Sequence, residues 1–212
     1  MVKIHGTFWS RAARAVWAAE ELGLKYEHIP TTFTGGSRTP EHLKLNPNGH
    51  IPVLDDDGLI VWESMAINLY LAEKYGKAPF WPSDAKLHAH VYQWSFWSIT
   101  ETEPHVVAIF ANKALYPAEQ RSSTVVAAAT EALKTPLRVL DDHLKGRPYL
   151  LGNDFTIADL NVAAVLWIGA YVKLDMSTTA NVQKWLQYCL ERPAFQRASK
   201  VDDTQHPGVN RI

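Results

Sequence analysis

The 212-residue sequence predicts an α/β domain over residues 1–78 followed by an all-α domain over residues 86–212. Three observations predict it. The first third alternates short runs of β-formers with helical runs and contains the turn Asp55-Asp56-Asp57-Gly58 between two apolar stretches, a hairpin signal. Residues 77–85 carry Pro79 and Pro82 and read as a linker. Beyond Ala85 only long helical patterns recur. An α/β block followed by an all-α block indicates two domains rather than one mixed sheet.

Each element has a local reason. Val2 to His5 is a short strand. Arg11 to Leu22 is Ala-rich and helical, with Gly23 well placed to close it. Tyr26 to Pro30 reads as a second strand. After the Gly35-Gly36 loop, Thr39-Pro40-Glu41 supplies an N-cap, a proline at the first helical position and an acidic first turn. Ile51 to Leu54 and Leu59 to Trp62 flank the hairpin turn, and Glu63 to Tyr75 is helical with Gly76 after it. The order is βαβαββα. Helical runs then cover about 86–115, 118–145, 157–173 and 179–191, with a short one after Pro193.

Composition narrows the function. Lys plus Arg number 21 and Asp plus Glu 22, so a net charge of −1 offers no electrostatic footprint for nucleic acid or an anionic membrane. The single cysteine, Cys189, forms no internal disulfide and belongs to no metal or redox motif. No apolar stretch approaches the ~20 residues that span a bilayer, and the N-terminus lacks a signal-peptide core. The expectation is a soluble, cytoplasmic protein. The nine histidines form no metal-ligand spacing, and no metal cofactor is expected.

Two segments carry chemistry. The first is Asn46-Pro-Asn-Gly-His-Ile-Pro52-Val-Leu, followed after the hairpin by Trp62-Glu63-Ser64. Proline within a strand region is tolerated at starts and bulges. A cis bond before Pro52 would turn the chain so that Val53 presents its backbone to an added peptide strand. Glu63 and Ser64 stand where a helix begins, and a helix start offers unpaired N–H groups and a positive dipole end to a carboxylate. Ser64 then donates to that carboxylate and Glu63 receives an ammonium, which together hold an α-amino acid head group. The competing reading makes Pro52 a turn former and Ser64 a helix cap.

The second segment is His5-Gly-Thr-Phe-Trp-Ser10-Arg-Ala-Ala-Arg14, at the first strand-to-helix turn. Together with the first segment and the run Leu-Tyr-Leu-Ala-Glu-Lys-Tyr-Gly76, it resembles the cytosolic glutathione transferases, in particular their bacterial serine-type branch. The resemblance spans nearly the whole chain. It implies a thioredoxin-like first domain that binds glutathione as co-substrate and a helical second domain that contributes the electrophile site. It also implies a homodimer and a role in detoxification. By the same resemblance His50, Ile51, Val53, Glu63 and Ser64 hold glutathione, and the Ser10 hydroxyl donates to its sulfur.

Ionising a thiol of pKa ~8.5 at neutral pH needs a shift of about 2 units, or ~2.7 kcal/mol. A hydrogen bond to a charged acceptor supplies ~1.5–3 kcal/mol and a helix start ~0.3–1 kcal/mol. Ser10 as a plain helix cap, with Thr7 or a backbone N–H at the sulfur, is the alternative. Phe8, Trp9, Trp97 and Glu101 are candidate walls for the electrophile, the last two at i, i+4 spacing on one helix. Gly152-Asn-Asp-Phe-Thr156-Ile-Ala-Asp159 is a capping-box pattern with a folding role. Two rival functions are a glutathione-dependent isomerase or disulfide/peroxide reductase on the same fold, and a non-catalytic glutathione or ligand binder.

Overall fold

The computed structural model describes residues 1–201. They form two compact units, Met1–Trp81 with residues 191–201, and Pro82–Leu190. The segment 202–212, the end of the expected second domain, lies outside the described residues.

The first unit contains β1 (Val2–His5), α1 (Ala12–Glu21), β2 (Tyr26–Ile29), α2 (Pro40–Leu45), β3 (Val53–Asp56), β4 (Leu59–Trp62) and α3 (Ser64–Tyr75). This is the expected βαβαββα order of a thioredoxin-like domain. The sheet order is β2-β1-β3-β4, with β1 parallel to β2 and antiparallel to β3, and β3 antiparallel to β4. Helix α1 joins the parallel pair, because parallel strands need a crossover while the antiparallel β3–β4 pair needs only a tight turn.

Helix α1 closes as the sequence indicates. Gly23 adopts φ +62°, and the Leu24 N–H reaches the Ala19 carbonyl at 3.0 Å, the long bond of a Schellman motif. Every residue from Ala12 to Ala19 is buried, since α3 and a last helix, α9 (Pro193–Ala198), both pack on α1. The five alanines in that span let these neighbours approach closely.

The placement of α9 differs from the sequence expectation, which left it with the helical half. Its residues group with the first unit. Arg192 grips Glu21 with two bonds, of 2.6 and 2.9 Å. Arg197 reaches the Glu20 carboxylate at 2.7 Å and the Glu20 carbonyl at 3.0 Å. Phe195 lies edge-on to Trp17, ring centroids 4.8 Å apart.

The second unit is all helical: α4 (Ala85–Trp97), α5 (Glu103–Phe110), α6 (Ser123–Leu144), α7 (Ile157–Tyr171) and α8 (Ala180–Leu190). Helix α7 is its core, buried from Ile157 through Trp167 and packed by α4, α5 and α8. A helix hydrophobic all round belongs at a centre. The run expected as one helix over 86–115 is interrupted by π-helical turns at Ser98–Thr102 and Ala111–Leu115. Pro104 explains the first. It lacks an N–H, and its ring would collide with the carbonyl four residues back. The Ser95, Ser98, Thr100 and Thr102 hydroxyls all donate to carbonyls one turn earlier, which further opens the helix.

The capping box at the start of α7 forms. One Asp159 carboxylate oxygen accepts from the Thr156 N–H at 2.9 Å and from the Thr156 hydroxyl at 3.0 Å. The other accepts from the Leu150 N–H at 2.8 Å and the Trp185 indole N–H at 3.0 Å. Burial pushes this carboxyl up, and the Leu150 and Thr156 amides, the indole and the hydroxyl pull it back. Asp159 thus ties α7 to α8 and to the loop before α7, a wider role than a cap.

Candidate active site

The site residues of the first unit converge because of the sheet register. His5, Val53 and Trp62 lie side by side across β1, β3 and β4. At that edge β1 runs out into Gly6, Pro52 leads into β3, and β4 runs out into Glu63 and Ser64. Three chain segments far apart in sequence therefore meet at one end of the sheet. Gly6 has φ +144°, and a Cβ there would lie 2.4 Å from that of Ala12, so glycine is required where β1 turns toward α1.

Ser10 ends this turn, half-buried. Its hydroxyl donates to the Thr7 carbonyl at 2.7 Å and accepts from the Ala12 N–H at 3.0 Å. The cap geometry is thus formed, and the one hydroxyl proton is already engaged. Donating to a thiolate means giving up a bond worth about 0.5–1.5 kcal/mol net for one worth about 1.5–3 kcal/mol. The gain is about 1–1.5 kcal/mol, close to one pKa unit. Such a donation, added to the start of α1, would be worth roughly one to two pKa units to a thiol placed there. Thr7 is buried, and its hydroxyl has no hydrogen-bond partner among the described residues.

The Ile51–Pro52 bond is cis, and so is Ala78–Pro79, for which the sequence carried no signal. Val53 does not present an open edge: His5 flanks it on one side and Trp62 on the other, so an added peptide strand has no room there. The residue before the cis bond is the open one. Ile51 is buried, lies outside the strands, and neither its N–H nor its C=O has a hydrogen-bond partner among the described residues. Its neighbour His50 is exposed, while the His50 carbonyl is held by His42 Nε2 at 2.9 Å and Asn46 Nδ2 at 3.0 Å. Burial and the nearby His42 keep the His5 imidazole below its ordinary pKa.

Glu63 and Ser64 open α3. Glu63 is exposed and sits at φ +74°, ψ +113°, a conformation costing a non-glycine residue about 1–3 kcal/mol. Such strain persists where the surroundings over-determine it, and function is one reason to retain it. Ser64 is buried, and Arg14 Nη1 donates to its oxygen at 3.0 Å. That bond fixes the oxygen and leaves the hydroxyl proton with no acceptor among the described residues. Arg14 is itself 2% exposed. Its four-residue spacing from Ser10 was the only sequence signal for it, and the link to Ser64 was not readable.

The family model for the glutathione S-transferase N-terminal domain matches residues 4–73, and that for the C-terminal domain matches residues 99–193. Glutathione S-transferase 1 of Schizosaccharomyces pombe is 36% identical over 169 residues, covering 73% of this chain and 72% of its own. The chain belongs to the glutathione S-transferase family. Another member, GstB of Escherichia coli (strain K12), is 29% identical over 203 residues, covering 92% of this chain and 98% of its own. Among solved structures, the theta class glutathione S-transferase of Xanthomonas axonopodis pv. citri superposes with a TM-score of 0.86 at 30% identity. The match covers 96% of this chain and 99% of that one, which was solved with glutathione bound.

For a transferase of this family, the four candidate electrophile residues divide between the units. Phe8 is 3% exposed, packed against Trp9 and Phe195 at centroid distances of 6.3 and 6.1 Å. Little of the Phe8 surface is free, most of it facing these two rings. Trp9 is half-buried. In the second unit Trp97 lies edge-on to Trp94 at 5.1 Å, and Glu101 is exposed on the first π-helical turn.

Proposed function

We propose that this protein is a glutathione transferase that holds glutathione in its first unit as the thiolate and directs it at an apolar electrophile. The observation that carries the reading is the row His5–Val53–Trp62. It gathers the Ser10 turn, the unpaired backbone of Ile51 and the Ser64 hydroxyl at one sheet end, three groups suited to a thiol, a peptide backbone and a carboxylate. Ser64 and the α3 start receive the γ-glutamyl carboxylate, Glu63 its ammonium, and Ile51 the backbone of the cysteinyl residue. Val53 supports that backbone from the strand behind, and the exposed His50 side chain is available to the glycyl carboxylate. Ser10 stabilises the thiolate.

Catalysis is then activation and proximity. The thiol loses its proton to solvent, and the thiolate attacks an electrophilic carbon. With a chloronitrobenzene the C–S bond forms, the C–Cl bond breaks and chloride leaves. Within the first unit, Trp9 is the proposed electrophile contact. The proposal includes a cytoplasmic role in detoxification. The proposal includes a homodimer, favoured by the exposed Tyr92 and Phe96 on α4. No helix among the described residues is long and apolar enough to cross a membrane.

Turnover with three glutathione-coupled substrates tests the reading. Conjugation of chloronitrobenzene is the expected activity. Isomerisation of a cis-enone, or reduction of a glutathione disulfide, without conjugation would assign the same thiolate to a different reaction. Binding of glutathione with no turnover of any of the three would make the protein a carrier.

A further inference from the structure

Two buried side chains converge on one carbonyl beside the proposed peptide-binding residue. His42 and Asn46 are 5% and 2% exposed, and each donates to the His50 carbonyl, at 2.9 and 3.0 Å. A carbonyl only accepts, so His42 carries its proton on Nε2. Each donor is itself held. The His42 ring lies edge-on to that of His5 at 6.1 Å, and its backbone N–H is bonded to the Thr39 hydroxyl that caps α2. The Asn46 side-chain oxygen accepts from the backbone N–H and side-chain amide of Asn48, both at 3.1 Å.

The His50 carbonyl and the Ile51 N–H belong to one planar trans peptide group, so they point in opposite directions. Fixing the carbonyl from two sides fixes the N–H. Donation into the carbonyl also polarises the peptide and strengthens the N–H as a donor. That N–H has no partner among the described residues, although Ile51 is buried. A doubly anchored carbonyl on one side and an unused donor on the other is a geometry prepared for a ligand acceptor.

We propose that His42 and Asn46 are positioning residues that aim the Ile51 N–H at the backbone carbonyl of a bound peptide substrate. The inference rests on the glutathione reading above. His42→Phe keeps an aromatic ring beside His5 and removes the donor, while His42→Gln keeps a donor. Calorimetric titration with glutathione should show about a tenfold loss of affinity for His42→Phe, with a smaller change in kcat at saturating glutathione. His42→Gln should recover most of the affinity. In the NMR spectrum, the Ile51 amide proton should move downfield on adding glutathione to wild type, and less so in His42→Phe.

Equal affinity for wild type and His42→Phe would overturn the inference and leave the transferase reading intact. Equal loss in the Phe and Gln variants, with lowered melting temperatures, would reduce His42 to a structural role and overturn it too. Failure of wild type itself to bind glutathione would overturn the transferase reading, and the inference with it.

Discussion

Asp159→Ala should destabilise the protein by about 3–5 kcal/mol. The substitution strips one acceptor group from four buried donors: the Leu150 and Thr156 amides, the Thr156 hydroxyl and the Trp185 indole. One unsatisfied buried donor costs about 1–3 kcal/mol. Relaxation lets some of the four find substitutes, which brings the total near the cost of breaking a buried charged network. Against a typical stability of 5–15 kcal/mol, this is a large fraction. Thr156→Ala removes one of the four donors together with the N-cap side chain and should cost only about 1 kcal/mol. Turnover per folded molecule should remain near wild type in both. Urea unfolding followed by circular dichroism checks the difference, and an Asp159→Ala loss under 1 kcal/mol would show that the network is not structural.

Ser64→Ala should weaken glutathione binding by about 1.5–3 kcal/mol, roughly 10- to 150-fold. Two features of Ser64 support so large a figure. Its oxygen is pinned by Arg14 at 3.0 Å, so little side-chain entropy is lost when a carboxylate arrives. Its proton has no acceptor among the described residues, so no existing bond has to break. Ser10 is the contrast, since its proton must leave the Thr7 carbonyl first. The rate at saturating glutathione should change much less than the affinity. Calorimetry giving an unchanged dissociation constant would remove Ser64 from the site.

Much of this architecture is legible in the sequence because local chemistry decides it. Thr39-Pro40 does open α2, with the threonine hydroxyl accepting from the His42 N–H. Gly23 does close α1, and Asp57-Gly58 does turn the β3–β4 hairpin, Asp57 at φ +52° and Gly58 at φ +91°. What escaped the sequence is set by long-range packing. Nothing local says that Arg192 and Arg197 face Glu21 and Glu20 across more than 170 residues, so α9 reads as part of the helical half.

Pro104 was visible, yet a proline permits either a break or a π-helical turn, and the packed neighbours decide which. At the site, the turn chemistry of residues 46–52 points to Val53 as the open backbone, whereas Val53 is paired on both sides and the Ile51 backbone is the open one. Placing the open N–H at Ile51 rather than Val53 needs the register that puts Val53 between His5 and Trp62. His42 and Asn46 were missed because their importance lies in a shared target, the His50 carbonyl, which no spacing rule reveals.

The Ser10 turn is proposed to hold glutathione as a thiolate, and the decisive measurement is thiolate absorbance of the bound complex against pH. Wild type should titrate one to two units below a free thiol of pKa ~8.5. Ser10→Ala should titrate about one unit higher than wild type, since about 1–1.5 kcal/mol of thiolate stabilisation is lost. Its glutathione affinity should hold, because Ile51 and Ser64 grip the peptide. Superimposable titrations for the two proteins would pass the sulfur to the Thr7 hydroxyl or a backbone N–H, and a wild-type complex titrating like free glutathione would contradict the account altogether.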